Sequence, residues 1–497
     1  MFANLPTDEV VRLAYAFAEE ASSLRGLHAP EYWSDQILQV WDKATRDFPA
    51  LSASRCTDDD IVALLRLPAK AIGPALMGER KARSADPDDP DFLPPKSASS
   101  PLLAIVNLFR FGERSKAMRL LTSYGLAPED ARTLELLIDL HPKDPTIDGH
   151  VDTEKPYFTH TPTTHPSPPT NPIPTETIKS MIRQKCTYTS TALDSFGWAT
   201  WLFKSVANDD SPRFMDSAAV VVQRLAAASE VSNNLALLLS LGKLIALLKK
   251  PNNPPRAADT PGPLLPLPSA EPTPTRKIRP VNIGVTFLKL GCQAILQDPG
   301  TKEYLTALED LQFGGATRGC ERVNHFFRLK FLSGCPVFSF DFANAFNSLF
   351  RSVMIQTAPP LMHPTMVRYY GCSSLISWQG KRITGHRGAK QGDPMGQAAF
   401  HLSVHQIWVK FVELHKNLCG RAITDDWNTS TRRRPATDAE WHKYYEDARQ
   451  SIATLEKLSA PLGLTLSAPS SSSCYQPAPP SRDPTCSPPN SPSTETA

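Results

Sequence analysis

Residues 337–346 read VFSFDFANAF, a short apolar run that ends in the carboxylate of Asp341. A run rich in Val and Phe directly after a proline is typical of a buried β-strand. The stretch therefore predicts a strand that delivers Asp341 at its end. Taken alone, an aspartate in that position most often caps the helix that follows, so the fold is decided by what lies downstream.

A glycine-rich loop and an acidic turn follow Asp341 along the chain. Residues 388–396 read GAKQGDPMG, and apolar residues at helical spacing continue from Ala399 to Leu414, which predicts a helix directly after the loop. Glycine allows the backbone to approach a ligand closely. Residues 423–426 read ITDD, and an isolated Asp-Asp pair is usually only a solvated turn. The complete order of strand with Asp, glycine-rich loop, helix and Asp-Asp turn is more specific than any of its parts.

This order of segments resembles the palm of reverse transcriptases. FDFANAF looks like motif A of that family, GAKQGDPMG like motif B, ITDD like motif C and LEKLSAPLGLTL (455–466) like motif D. Upstream, LIALLKKP (244–251) and KIRPVNIG (277–284) look like the two finger strands, which would form one hairpin, and QFGG (312–315) resembles the segment after them. The resemblance covers roughly residues 112–466 and is closest to the non-LTR retrotransposon type.

The resemblance implies an RNA-directed DNA polymerase, a nucleotidyltransferase that adds dNTPs to a DNA or RNA primer on an RNA template. It also implies a metal site made by Asp341, Asp425 and Asp426, with the backbone carbonyl of Phe342 as a further ligand. In that family the first aspartate of motif C is the firmer ligand. Carboxylates ~4 Å apart repel by about 4 kcal/mol at an effective dielectric of ~20, so such a cluster needs cations. Oxygen ligands favour Mg²⁺, with Mn²⁺ as an alternative.

Further residues are implied to contact the incoming nucleotide. By resemblance, Lys250 and Arg279 are the finger cations that bind its triphosphate, for which charge-assisted hydrogen bonds are strong. Gln391 and Gly392 would line the nucleotide pocket. Phe346 would be the aromatic ring that collides with a ribose 2′-hydroxyl and so favours dNTPs. The alternative for Phe346 is a core phenylalanine on the helix after the strand.

Three departures from the family pattern favour an alternative function, a catalytically impaired or truncated reverse-transcriptase-fold remnant that at most binds nucleic acid. Ile423 and Thr424 stand where the family usually has an aromatic residue and an apolar residue or alanine. The lysine that normally follows motif D falls by register at Ser470, and no lysine follows Lys457. A Pro/Ser-rich stretch begins after residue 467, where the family has a thumb, so we expect the thumb to be missing.

These assignments predict an α/β (α+β) fold in which the fingers and palm of a right-hand polymerase follow a helical N-terminal region. The proline content supports the prediction of linkers, since 47 of 497 residues are proline, well above the usual ~5%. The expected segments are a helical N-terminal region (1–67), a flexible linker (68–99), a helical pre-polymerase region (100–140), a Pro-rich linker (141–175), the fingers (176–330) with a Pro-rich insert (251–275), the palm (331–467) and a disordered Pro/Ser tail (468–497).

Composition limits the possible partners and compartment. The longest nearly apolar run, residues 235–248, contains Lys243 and is shorter than the ~20 residues that span a bilayer, so no membrane is expected. The N-terminus has acids before any base, and the nine cysteines form no CxxC pair, which favours an intracellular protein of nucleus or cytoplasm, not a secreted one. The net charge of +3 neither demands nor excludes nucleic acid. Arg432 to Arg434 could contact phosphates or act as a nuclear signal, although such runs are more often solvated; protein partners stay unknown.

Overall fold

Both helices and sheets build the chain, as the sequence predicts for a mixed α/β (α+β) protein. The helices and strands below are numbered in chain order. The structure is a computed structural model, which describes residues 1–24, 27, 33–85, 125–143, 173–186, 192–207, 212–228, 231–249, 277–390, 392–467 and 474–475.

Three helices form the N-terminal region, as predicted for residues 1–67. They are α1 (Thr7–Ala21), α2 (Asp35–Asp47) and α3 (Asp58–Ala85), with 3₁₀ turns at Phe2–Asn4 and Ser22–Leu24. Both α1 and α2 pack against α3. Val10 of α1 and Trp41 of α2 are fully buried in the core, so the helical spacing of apolar residues marks a real core face.

The predicted flexible linker at 68–99 is wrong at its start, because α3 continues through Pro68 and Pro74 to Ala85. A proline inside a helix usually costs about 3 kcal/mol, since it removes a backbone hydrogen bond and clashes with the preceding turn. Ile72, between the two prolines, is fully buried. Packing of the same helix face therefore outweighs the loss that the sequence pattern suggested. The later part of the linker lies outside the described residues.

One described segment, Asp58–Glu79 of α3, is long and apolar enough to cross a membrane by length and composition. Its first turn carries three aspartates. Its residues Ile61, Leu64 and Leu65 are fully buried in the core shared with α1 and α2. One face of this helix therefore packs in the protein core.

Apolar spacing from Thr177 to about Ser240 predicts a mostly helical block, and the described residues of that block are mostly helical, apart from residues 192–199. The helix α4 (Ala131–Asp139) precedes this block. The elements of the block are α5 (Thr175–Cys186), a 3₁₀ turn (Thr200–Phe203), α6 (Lys204–Ala207), α7 (Pro212–Ala227) and α8 (Asn233–Leu239). Aromatic rings join this region to the N-terminal helices. The Trp198 ring lies 5.7 Å from that of Trp41 and 4.9 Å from that of Phe287, so one core runs through both regions.

A buried aspartate ties this core to the chain that follows the first hairpin. Asp194 Oδ1 accepts the N–H groups of Phe196 and Trp198, both at 2.9 Å, and its Oδ2 accepts the N–H of Thr286 at 2.6 Å. Thr286 begins α9 (Thr286–Gln297). Asp194 is only 3% exposed, so its carboxylate supplies the acceptors that water would otherwise provide.

We expect Asp194→Ala to lower the free energy of unfolding by about 3 kcal/mol, because three buried N–H groups lose their acceptor. Urea unfolding followed by circular dichroism measures the change. Asp298→Ala is the matched control. Asp298 accepts one N–H, that of Thr301 at 3.1 Å, as a helix cap, and loss of such a cap costs about 1 kcal/mol. Equal losses in the two variants would contradict the expectation.

The two apolar stretches on either side of the Pro-rich insert pair as one hairpin, as predicted. β1 (Gly242–Leu248) runs antiparallel to β2 (Ile278–Ile283), with Arg279 opposite Leu247. The first sheet has the order β2–β1–β4–β5. In it β4 (Ser374–Trp378) is parallel to β1, and β5 (Lys381–Gly385) is antiparallel to β4.

The second sheet has the order β6–β7–β3–β8, with every neighbouring pair antiparallel. The strand expected before Asp341 and the helix expected after the glycine-rich loop are both confirmed. The strands are β3 (Val337–Phe340), β6 (Leu418–Ile423), β7 (Asp426–Thr431) and β8 (Cys474–Tyr475). The remaining helices are α10 (Pro299–Thr306), a 3₁₀ turn (Ala307–Asp310), α11 (Gly319–Leu332), α12 (Ala345–Ser348), α13 (Arg351–Gln356), α14 (His363–Tyr370), α15 (Pro394–Leu414), α16 (Asp438–Ser459) and a 3₁₀ turn (Ala460–Leu462).

Helices contact both faces of the second sheet. On one face, Tyr444 of α16 stacks on Phe338 with ring centroids 5.2 Å apart, and Trp408 of α15 stacks on Trp427 at 4.4 Å. On the other face, α11 packs against Ile423 in a separate small apolar cluster. Because strand residues alternate between faces, the side chains of Asp341, just after Phe340, and of Asp426, just before Trp427, lie on the α11 face.

The tail predicted to be disordered over 468–497 contains a described strand, so that prediction is wrong in part. The backbone of β8 pairs with Val337 and Phe338 at the edge of β3. An edge strand presents unpaired N–H and C=O groups, which a short segment can satisfy without any hydrophobic pattern, and composition therefore gives no sign of it. The rest of the tail, most of the Pro-rich linker and residues 100–124 lie outside the described residues.

Candidate active site

The Asp425–Asp426 pair lies at a two-residue hairpin loop between β6 and β7. Ile423 pairs with Asp426, so Thr424 and Asp425 form the loop. Of these two only Thr424 has a positive φ, 60°, as in a type II′ turn, where glycine is the usual residue. A β-branched residue is strained in this conformation. Neighbouring groups must therefore hold the turn in place.

The buried side-chain amide of Gln312 forms hydrogen bonds with both backbone groups of Thr424, the strained residue. Gln312 Nε2 donates to the carbonyl oxygen of Thr424 at 2.9 Å, and Gln312 Oε1 accepts the N–H of Thr424 at 2.9 Å. The same Oε1 accepts the N–H of Gly314 at 3.0 Å. Gln312 is only 2% exposed, so water does not compete for these bonds. The Gln312 amide thus fixes the loop that presents both carboxylates.

His401 of α15 supports Thr424 through its side chain. His401 Nε2 lies 3.2 Å from Thr424 Oγ1, and burial lowers the pKa of His401 to about 4, so the ring is neutral at pH 7. A side chain at Gly314 would place its Cβ 2.6 Å from both of these atoms, so only glycine leaves room for the contact. The unusual threonine therefore has polar partners that sequence reasoning did not connect with it.

Asp341 lies on the same face of the second sheet as Asp426. Phe340 and Trp427 are opposite one another in the β3–β7 pair, so the next residue of one strand and the preceding residue of the other point to the opposite face. Ser467 donates its N–H to the Asp341 carbonyl at 2.8 Å and its hydroxyl to Asp341 Oδ2 at 3.3 Å. The Asp341 residue is exposed, so its carboxylate can reach a ligand.

Asp341 lies close enough to the acidic turn for its charge to affect the ionisation of Asp425 and Asp426. Burial raises the pKa of Asp425, the charge of Asp341 raises it further, and Lys249 and Arg279 act in the opposite direction. Burial, followed by the charges of Asp425 and Asp341, raises the pKa of Asp426 to about 6. Mutual repulsion of this kind marks a site that a cation would relieve.

Oxygen atoms are the donors that this site offers. Phe342 and Leu466 form an antiparallel bridge in which Ala343 donates to Thr465 and Ser467 donates to Asp341. In such a pair the carbonyl of Phe342 points away from Leu466 and toward β7. Among the residues that the structure describes, no group of three or more His, Cys, Asp or Glu side chains could hold a metal ion alone. Main-chain or substrate oxygens would have to complete the site, and such a donor set fits Mg²⁺ or Mn²⁺.

The glycine-rich loop rests on the helix that follows Asp341. Gly388 donates its N–H to the Leu349 carbonyl at 2.8 Å, and Ala389 donates to the Phe346 carbonyl at 2.6 Å. Gly388 has a φ of 69°, and a Cβ there would lie 2.1 Å from the Phe346 carbonyl oxygen. The ring of Phe346 is half-buried and stacks on Phe400 of α15 at 4.7 Å. Phe346 thus packs in part as a core residue and keeps an exposed part.

The charged side chains of Arg351, Lys390 and Asp393 fix the glycine-rich loop through hydrogen bonds. The buried Arg351 donates from Nε to the Gly388 carbonyl at 3.1 Å. Lys390 Nζ donates to the carbonyl of Ser240 at the end of α8, and burial lowers the pKa of Lys390 to about 8. Asp393 accepts the hydroxyl of Tyr370 at 2.5 Å and caps α15. These hydrogen bonds therefore fix the described residues of the glycine-rich loop.

Of the expected nucleotide-binding residues, the structure describes Arg279, Phe346 and Gly392. Gly392 has a φ of 97°, and a Cβ there would lie 3.0 Å from the Asn282 carbonyl of β2, so the loop approaches the strand that carries Arg279. Lys250 and Gln391 lie outside the described residues. Lys249, which sequence reasoning passed over in favour of its neighbour, is exposed and acts electrostatically on the acidic turn. The adjacent KK pair was the available signal for it.

No model of a known protein family matches this chain, and no curated protein is significantly similar to it. The acidic turn, the glycine-rich loop and the basic end of the first hairpin therefore have to be interpreted from their own contacts. Those contacts place Lys249 and Arg279 near Asp425, and the glycine-rich loop near the strand that carries Arg279.

Proposed function

We propose that this chain is an RNA-directed DNA polymerase of the non-LTR retrotransposon type, with palm and fingers built on the second and first sheets. It would add dNTPs to a DNA or RNA primer on an RNA template. The observation that supports it best is that Asp341 and Asp426 share one face of the second sheet, with Asp425 in the adjoining loop, and that Lys249 and Arg279 lie near enough to act on the charge of Asp425. Carboxylates that need cations, next to lysine and arginine side chains that can bind phosphates, are suited to phosphoryl transfer.

The oxygen donors fit a divalent cation. Asp341 and Asp425, with the carbonyl of Phe342, would hold Mg²⁺, and Asp426 would be the weaker donor because its raised pKa makes it more easily protonated. Bound Mg²⁺ would supply activation of the primer hydroxyl and charge neutralisation of the departing pyrophosphate. The contribution of the chain itself is rigidity, since Gln312 fixes the loop that carries Asp425.

Basic residues of the first hairpin would bind the nucleotide's triphosphate. Arg279 and Lys249 lie on adjacent strands or their ends, and both act on Asp425. Charge-assisted hydrogen bonds from such groups to phosphate oxygens are strong, and Lys250 is a further candidate. Gly392 would let the loop backbone approach the base and sugar, as its closeness to β2 suggests.

A catalytically impaired relative of such an enzyme is the second candidate function. Ser470 stands where the family's lysine would act as general acid toward pyrophosphate, and no lysine follows Lys457. Against this candidate, the departure at Thr424 is compensated by Gln312 and His401. A turn kept in a strained conformation by buried partners is more typical of a working site than of a decaying one.

Primer extension distinguishes the two candidates. The purified chain is incubated with a labelled DNA primer on an RNA template, dNTPs and Mg²⁺ or Mn²⁺. We expect extension that disappears when EDTA removes the metal. Hybrid binding without extension in either metal would favour the impaired relative, and absence of both binding and extension would contradict both candidates.

Phe346→Val tests the choice of sugar. We expect the preference for dNTPs over ribonucleotides to fall by about 10- to 100-fold, because a smaller side chain would no longer collide with the 2′-hydroxyl. Competition between the two nucleotides in single-nucleotide extension measures this preference. Phe400→Leu is the matched control, since it disturbs the same ring stack from its buried side. An equal loss of preference in both variants would assign the effect to packing and remove the gate role.

A further inference from the structure

A row of basic side chains runs along the second sheet and the helix packed on it, away from the acidic turn. Lys330 belongs to α11 and Arg421 to β6. Lys416, Arg432 and Arg434 lie at the end of the β6–β7 hairpin opposite the acidic turn. All five residues are at least partly exposed. We define the basic strip as Lys330, Lys416, Arg421, Arg432 and Arg434.

Direct contacts join the members of the basic strip. The guanidinium of Arg421 lies 4.2 Å from the ring centroid of Phe326, and Lys330 Nζ lies 5.9 Å from the same ring. Lys330 Nζ also donates to the Arg432 carbonyl at 2.7 Å, and Arg432 Nε donates to the Lys416 carbonyl at 2.7 Å. The strip is therefore one continuous surface and not a set of scattered charges.

The charge of the basic strip is not neutralised by the carboxylates that the structure describes. Two arginines beside it are paired: Arg433 with Glu440 at 2.7 Å and Arg322 with Glu309 at 2.9 Å. The five members of the strip form no salt bridge with a described carboxylate. Arg434 also packs over Gly334, where a Cβ would lie 2.9 Å from its Cδ, and the Arg434 residue is exposed.

The basic strip continues from the face that carries the acids. Arg421 and Ile423 share the α11 face, because Ala422 between them is buried on the other face. Asp426 pairs with Ile423 and so belongs to the same face. The six residues of β6 span about 20 Å, so the strip extends roughly that far from the acidic turn. A duplex rises by about 3.4 Å per base pair, and about six base pairs would lie along it.

We propose that the basic strip binds the sugar–phosphate backbone of a nucleic-acid duplex that leaves the acidic site. The direction of the duplex rests on the proposed polymerase function, whereas the binding of phosphates does not. Lysine and arginine side chains that release counterions from phosphates give binding that weakens steeply with salt. Guanidinium groups held over a ring, as in Arg421, or by a backbone carbonyl, as in Arg432, are already ordered, so less side-chain entropy is lost on binding.

A duplex suits the strip better than a single strand does. Proteins that bind single strands stack bases on exposed aromatic rings. The described rings that the strip's cations contact are not exposed: Phe326 is half-buried beneath Arg421 and Lys330, and Phe313, which Arg421 also contacts, is buried. A duplex keeps its bases inside and presents only phosphates and sugars. Basic groups on rigid strands and a helix can follow such a regular backbone.

The experiment measures binding of a 20-base-pair RNA–DNA hybrid by fluorescence anisotropy, without dNTPs or divalent metal, between 50 and 200 mM KCl. The test variant is the triple change Lys416→Gln, Arg432→Gln and Arg434→Gln. Because each phosphate contact adds about 0.9 to the slope of log K against log salt, we expect the slope to fall by about 2 to 3 and the affinity at 100 mM KCl to fall about tenfold or more.

Matched charge changes elsewhere separate the strip from net charge. The control variant is Lys443→Gln, Arg449→Gln and Lys457→Gln on α16, which packs on the other face of the sheet; its salt slope should stay unchanged. Asp341→Asn should not weaken hybrid binding, so failure of the catalytic proposal remains distinguishable. Equal slopes for the strip variant and the unaltered chain, or a loss seen with single-stranded RNA and not with the hybrid, would overturn the proposal. Circular dichroism confirms that each variant is folded.

Discussion

Asp341→Asn and Asp425→Asn are each expected to reduce nucleotide incorporation by at least about 1,000-fold. The loss of one anionic oxygen donor weakens the site for a cation whose charge stabilisation contributes several kcal/mol, and about 1.4 kcal/mol corresponds to tenfold in rate. Asp426→Asn should cost less, because burial and the neighbouring charges raise the pKa of that carboxylate to about 6, which makes it easier to protonate than an ordinary aspartate. Single-turnover primer extension with saturating dNTP measures each rate.

A readout other than activity separates loss of metal binding from loss of folding. Mg²⁺ that binds only the folded chain raises its melting temperature, so the unaltered protein should be stabilised by Mg²⁺ and Asp425→Asn should not. Glu456→Gln, an exposed acid of α16, is the control and should leave both rate and stabilisation unchanged. Retained incorporation by both Asp341→Asn and Asp425→Asn would remove these residues from the catalytic site.

Local patterns in the sequence were enough to place the carboxylates. The strand of residues 337–340, the hairpin that joins β1 to β2 and the helix after Asp393 all follow from short-range signals: apolar runs, a flanking proline and a capping aspartate. Each of these signals acts within a few residues of the chain. The sheet face shared by Asp341 and Asp426 then follows from strand alternation alone.

Contacts between distant residues could not be predicted in the same way. Gln312 and Thr424 are 112 positions apart, and neither residue type alone signals the other. The continuation of α3 past Pro68 depends on burial of Ile72 by other helices, which overrides local preference. The pairing of β8 with β3 uses backbone groups that every residue carries. The candidate site residues could therefore be predicted from the sequence, whereas the groups that hold them in place became visible only in the structure.

Gln312→Ala is expected to lower nucleotide incorporation by about 100-fold, although Gln312 carries no charge. Without its amide, the strained loop residue Thr424 loses two hydrogen bonds and should relax toward ordinary φ values. A shift of about 1 Å at a reacting group can cost about 10²-fold. The free energy of unfolding should fall by about 1–3 kcal/mol, because buried backbone groups lose their partners. Extension rates and urea unfolding measure the two effects.

The double variant Gln312→Ala with Thr424→Gly tests whether the amide acts through the loop. Glycine adopts positive φ without the penalty that a β-branched residue has, so the turn should form again without the clamp. We therefore expect the double variant to recover at least about tenfold of the lost rate, while Thr424→Gly alone changes the rate little, since the amide still holds the backbone of residue 424. Absence of recovery would mean that Gln312 contributes through a direct contact with nucleic acid or nucleotide. Recovery would show that the role of Gln312 is to hold Asp425 in position, because the substitution restores the turn and supplies no other group.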